Sequence, residues 1–290
     1  MRQKGFTLIE LIIVTVLISI VSIASFSYLG FGALIFRDTV ERDDMAANSR
    51  FAIERLSREL RHALPGSPRV SEDNNCIEFV PLISSGIYFS LPDSTNTSFE
   101  LSAPALAQER LDNFTPPYFL FVAANNSRRV YASEANQRTM INLNVYPIPE
   151  ASGEVWRIES SSAPYTRRSP GRRYYLTSAP VSWCIAEEGY QSAQLRRYAY
   201  YNTDFTSDNT GSSRPVNFAA GVAELNSRSS SPGFSNDLMA SNLDAANSRF
   251  ERLTPTLNRN NLVLLDLTFL NSTGTESMTL YHEVHIPNVP

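Results

Sequence analysis

The chain has 290 residues, 19% of them charged, and a formal net charge of −4. That is long enough for a sizeable core, and a mildly acidic balance gives no reason to expect nucleic-acid binding. Three histidines and two cysteines offer little support for His-based catalysis, and neither cysteine has a second Cys or His at metal-ligand spacing. Lys4 is the only lysine; every other basic residue is arginine.

The N-terminus opens with a short basic leader, Met1-Arg2-Gln3-Lys4-Gly5, followed by Phe6-Thr7-Leu8-Ile9-Glu10. From Leu11 to Phe36 there is no charge at all. As a helix, that run is roughly 39 Å long at 1.5 Å per residue. A hydrocarbon core of about 30 Å is within its reach. Glu10 sits close inside the apolar run, where an acidic residue costs a few kcal/mol in lipid and so usually has a purpose. A secretory signal would need Ser22-Ile23-Ala24 as its cleavage site, and both Glu10 and the long continuation to Phe36 argue against it. A plain single-pass anchor leaves Glu10 without a role, unless it snorkels to water near the interface.

Lys4-Gly5-Phe6-Thr7-Leu8-Ile9-Glu10 resembles the processing motif of type IV prepilins without a departure. The resemblance implies cleavage after Gly5 by a prepilin peptidase and methylation of the new amino group of Phe6. It implies that Glu10 serves assembly with other major and minor pilins. The physics is compatible: an amine on one subunit can pair with a carboxylate on the next, and neither is stable alone in lipid. The positive leader stays in the cytoplasm, which puts the chain after Phe36 on the far side of the bacterial inner membrane. The resemblance further implies a final place in a pilus on the cell surface.

The helix is expected to continue from Arg37 to Leu64, with Ile53, Leu56, Leu60 and Leu64 on one apolar stripe, until Pro65-Gly66 ends it. Beyond Pro68 short apolar runs alternate with Ser, Asn, Pro and Gly, which reads as β-rich. Strands are expected at 76–82, 87–91, 118–123, 139–146, 154–159, 173–177, 181–186, 195–201, 216–225, 263–269 and 278–286. Residues 236–253 fit a helix, but their end fits a strand equally well. Loops are expected at 163–172, 202–215 and 227–235. The expected fold class is α+β: a long N-terminal helix with a transmembrane half and an amphipathic half, packed on an antiparallel β-rich domain. The segments are 1–5 (leader), 6–36 (membrane half), 37–64 (amphipathic half) and 65–290 (periplasmic domain).

Cys76 and Cys184 fall on strand-like segments and are reasonable disulfide partners in an oxidising periplasm; two unpaired buried thiols are the alternative. His282-Glu283-Val284-His285 lacks the four-residue His spacing of a helical zinc motif, and on a strand the two rings would point to opposite faces. Asp204, Thr206, Asp208 and Thr210 alternate before Gly211 as in a calcium loop, but Pro215 stands where the closing Glu belongs, so a solvated turn is preferred. No other cofactor and no enzymatic activity are expected. An arginine cluster at 167–173 is read as a solvated loop, with a partner patch as the alternative. Residues 50–61, with 76–81 and 282–290, resemble larger minor pilins of mannose-sensitive haemagglutinin (MSHA) pilus biogenesis. Residues 50–61 also resemble J-type pseudopilins of type II secretion. A membrane-anchored periplasmic binding or adhesin module that never polymerises is the reading from a different class.

Overall fold

The computed structural model describes residues 7–93, 98–102, 118–124, 126–131, 138–141, 155–159, 165, 168–189, 192–201, 219–231, 233–253 and 261–286. Helix α1 (Leu8–Arg61) runs 54 residues without a proline, roughly 80 Å at 1.5 Å per residue. The chain divides into two compact units, Met1–Ala47 and Asn48–Pro290.

Within the first unit, residues 8–36 are the apolar part of α1. Leu8, Ile9, Leu11, Phe26, Tyr28 and Phe36 are each more than half exposed. Two of its hydroxyls bond inside the helix: Thr15 Oγ1 donates to the Ile12 carbonyl at 2.9 Å, and Ser19 Oγ to the Thr15 carbonyl at 2.8 Å. A helical stretch that is apolar all round suits lipid or a bundle of like helices. Among the described residues it is the one helix long and apolar enough to cross a membrane.

In the second unit the end of α1 becomes amphipathic. Ser49, Ala52, Ile53, Leu56, Ser57 and Leu60 are buried at helical spacing, while Phe51 stays exposed. The helix stops at Arg61, three residues short of the expected Leu64. The cause is β pairing: Leu64 N–H donates to the Val80 carbonyl and Leu82 N–H to the His62 carbonyl, both at 2.8 Å. Gly66 then turns the chain at φ +82°, a conformation glycine takes without a steric penalty.

Two antiparallel sheets follow. The first takes β1 (Arg69–Val70), β2 (Cys76–Phe79), β9 (Val181–Glu187), β10 (Ala193–Ala199), β11 (Ser235–Leu243), β13 (Asn261–Leu270) and β12 (Arg249–Leu253), in that spatial order. Strand β14 (Ser277–Ile286) pairs with β13 over ten residue pairs without a register shift. The second sheet has the order β6 (Arg138–Ile141), β5 (Tyr118–Val122), β8 (Arg173–Thr177), β3 (Leu82–Ser90), β4 (Ser98–Ser102), β7 (Val155–Glu159). Register sets Cys76 opposite Cys184 on β2 and β9 with Cα atoms 4.1 Å apart, and the two form a disulfide. Every strand of the second sheet lies within the chain loop that this bond closes.

Alternation on β5 gives the second sheet two buried faces. Phe119 and Phe121 pack with Leu64, Val80 and Val130, the last from the short helix α2 (Ser127–Tyr131). Leu120 and Val122 pack on the other side with Ile83, Phe99 and Tyr174. At Gly86, opposite Tyr174, an added Cβ would stand 2.7 Å from the Tyr174 hydroxyl and from Ser102 Oγ, so the position has no room for a side chain.

Three expectations change. The region 236–253 forms strands β11 and β12, because Leu243 and Phe250 reach the core from extended backbone. The strand expected at 216–225 is replaced, where described, by helix α3 (Val222–Ser227), whose Leu225 packs against the disulfide. The gap expected between 82 and 87 vanishes, since Leu82–Ser90 is one strand, and the break falls at 80–81 instead, ending β2 at Phe79. Residues 142–146 and 202–215 lie outside the described residues.

Candidate functional site

The first turn of α1 holds the one expected assembly residue that the structure describes. Glu10 is exposed, and its backbone N–H donates to Thr7 Oγ1 at 3.4 Å. Thr7 precedes the first helical residue, so Thr7-Leu8-Ile9-Glu10 has the Thr-x-x-Glu arrangement of a capping box. A carboxylate here also faces the positive end of the helix dipole. Around it Leu8, Ile9 and Leu11 are exposed apolar side chains. The arrangement places a carboxylate among exposed apolar side chains. Gly5 and Phe6, the expected cleavage and methylation positions, lie outside the described residues.

In the second unit two carboxylates organise the polar contacts. Glu59, on the inner stripe of α1, accepts hydrogen bonds from Trp183 Nε1 at 3.0 Å and from Arg197 Nε at 3.1 Å. Arg55, one turn earlier, pairs with it at 3.5 Å. These bonds fasten the helix to β9 and β10.

Glu78 on β2 is fully buried, with Arg69 opposite it on β1. Arg69 Nε and Nη2 donate to Glu78 Oε1 at 2.8 and 2.6 Å. Glu78 Oε2 accepts from the Tyr201 hydroxyl at 3.1 Å and Ser182 Oγ at 3.4 Å. The Arg69 guanidinium also lies 3.6 Å over the Tyr131 ring. Burial disfavours the Arg69 charge, but Glu78 beside it holds its pKa above the usual arginine value. Burial, reinforced by the Glu78 charge, pushes the Tyr131 and Tyr201 hydroxyls well above the usual tyrosine pKa.

The remaining expected positions carry little chemistry. His282 is half-buried in the file with Val284 and Ile286, while His285 is exposed near Glu283 at 3.9 Å. Asp204 and Asp208 lie outside the described residues. Among the described residues no group of three or more His, Cys, Asp or Glu is arranged to hold a metal. Of the arginine cluster, Arg168 and Arg172 are exposed, and Arg173 lies half-buried on β8. The sequence reading missed Glu59, Arg69 and Glu78. Glu59 was detectable as an acid between buried stripe positions; Arg69 and Glu78 lie nine residues apart, and only strand register brings them together.

Residues 1–26 match the family model described as the prokaryotic N-terminal methylation motif. No curated protein and no solved structure matches the chain. The motif, with a long apolar N-terminal helix, supports a type IV pilin-like prepilin that is anchored in a membrane.

Proposed function

We propose that this chain is a minor type IV pilin: a non-enzymatic subunit cut after Gly5 by a prepilin peptidase, N-methylated at Phe6 and built with other major and minor pilins into a pilus. The carrying observation is the methylation motif over residues 1–26, joined to Glu10 in the first turn of an exposed apolar helix. Residues 1–5 are the leader, 6–36 the segment held in the inner membrane, 37–64 the amphipathic half and 65–290 the periplasmic domain. No cofactor enters this role. Residues 50–61, 76–81 and 282–290 resemble MshO, a minor prepilin of MSHA pilus biogenesis, and this favours that pilus type.

A J-type minor pseudopilin of type II secretion is the second reading, favoured by the same helix segment at 50–61. Neighbouring genes separate the two, since pilus and secretion operons carry different companions. An anchored binding module would not be processed at all.

The test is intact-mass analysis after co-expression with a prepilin peptidase. The mature chain begins with N-methyl-Phe6, and Gly5→Val stays uncut because a branched side chain blocks the scissile position. A wild-type chain that remains uncut, or one that begins at Ser25, overturns the reading. Glu10→Ala keeps its membrane anchor and its cleavage but is depleted from sheared pili. Normal recovery of that variant in pili would remove Glu10 from the mechanism.

A further inference from the structure

Where α1 ends beside the second sheet there is a groove of about 320 Å³, open to solvent. That is the lower end of the size range for ligand pockets. Pro65, Leu82, Ile87 and Tyr175 supply apolar wall. Ile87 is 51% exposed, and Phe89, two residues along β3, is 52% exposed, so the apolar surface continues out of the groove. Two cations complete it: Arg61 from the last turn of α1, and Arg173 from β8 opposite Ile87.

None of the described residues lining the groove is acidic. Arg173 shares a hydrogen bond with Tyr175. The Arg61 side chain is exposed and has no hydrogen-bond or ion-pair partner among the described residues. A guanidinium presents five donors in a planar fork matched to carboxylates. Charge therefore selects an anion, and the apolar wall selects one with a hydrophobic flank. Inorganic phosphate has no such flank. A sugar acid would bring several hydroxyls, and Ser85 is the only neutral hydroxyl in the lining besides Tyr175. A glutamate or aspartate side chain next to an apolar residue satisfies both walls.

We propose that this groove binds an acidic peptide segment of a partner protein, its carboxylate taken between Arg61 and Arg173 and its neighbouring apolar side chain laid on Ile87 and Tyr175. The proposal is independent of how the N-terminus is processed.

The test uses the full chain in detergent micelles. The probe is a short fluorescein-labelled peptide alternating glutamate with leucine and phenylalanine, read by fluorescence anisotropy. Arg61→Gln and Arg173→Gln each weaken binding by about tenfold, as expected for a charge-assisted hydrogen bond. Replacing the peptide's glutamates by glutamine weakens it as much, and added salt weakens only the acidic peptide. Arg61 is on the surface, so its variant keeps the wild-type melting temperature and serves as the folding control. Absent binding, equal binding of the acidic and glutamine peptides, or binding indifferent to both arginines overturns the proposal. So does glucuronate displacing the probe with the same arginine dependence, which would make the site one for sugar acids.

Discussion

Changing Glu78 to glutamine removes one negative charge from the interior and leaves almost everything else in place. In the native protein its two oxygens receive both Arg69 donors, Tyr201 and Ser182. Glutamine keeps the length of the side chain, but its amide nitrogen turns hydrogens toward one set of these donors. Arg69, only 6% exposed, is then a cation without a counter-charge. Breaking a buried pair from one side costs about 3–5 kcal/mol. For a unit of this size each kcal/mol moves the melting temperature by roughly 2–4 °C, so the expected drop is roughly 6–20 °C. The informative companion is the double change Arg69→Met with Glu78→Leu, which removes both charges. Ser182 and Tyr201 are 2.8 Å apart and can satisfy each other in that background. The double variant should therefore lose less than half the sum of Glu78→Leu and Arg69→Met measured alone. Thermal melts followed by circular dichroism, run in the same detergent, provide the comparison. A Glu78→Gln protein within about 1 kcal/mol of wild type, or strictly additive losses, would refute the view that this pair is coupled and buried.

Three further outcomes follow from the same contacts. Reducing the Cys76–Cys184 bond, which closes a separation of 108 residues, should lower stability by about 4–5 kcal/mol in the chain-entropy treatment, read as a shift in denaturant midpoint between oxidised and reduced protein. Glu59→Gln should cost about 1–2 kcal/mol and shift Trp183 fluorescence, because the Arg197 ion pair is lost while an amide can still accept from the indole. Alkaline pH should unfold the protein. Burial raises Tyr174 to about 12 and, with Glu78, pushes Tyr131 and Tyr201 well above the ordinary value. Groups raised on folding give stability that is whole below about pH 10 and lost as pH climbs through the folded values. Tyrosinate absorbance and circular dichroism should therefore change together above pH 10, and stability that is flat to pH 12 would contradict the burial of these hydroxyls.

How far the sequence spoke depended on the range of the interaction. The apolar run and the buried stripe of Leu56 and Leu60 are local, set by residues within a turn or two. The strand at Arg173–Thr177 was legible for the same reason, as a short apolar run between polar and turn-forming residues. The helix end was misplaced because Leu64 is claimed by Val80, a partner the local pattern cannot contain. The same holds for 236–253, where helical spacing of Leu243 and Phe250 is overridden by pairing with β13. Glu78 was invisible as a site because a lone acid in Cys-Ile-Glu-Phe reads as the outward residue of a strand. Here it faces inward, since β1 supplies an arginine to meet it.

The position of the disulfide has a mechanical consequence. Suppose the chain is pulled by its two ends. Tension entering through α1 reaches Cys76, crosses the sulfur bridge to Cys184 and continues toward the C-terminus, because a covalent bond outlasts every weaker contact. The chain between the two cysteines, which includes every strand of the second sheet, is bypassed by this covalent path. Roughly 360–390 Å of contour, from the 108-residue separation at full extension, cannot be drawn out while the bond is intact. The first-sheet strands beyond Cys184, β10 to β14, have no such bypass and can be drawn out of a stretched chain. The strands of the second sheet stay tethered at both ends by the bond while those strands are drawn out.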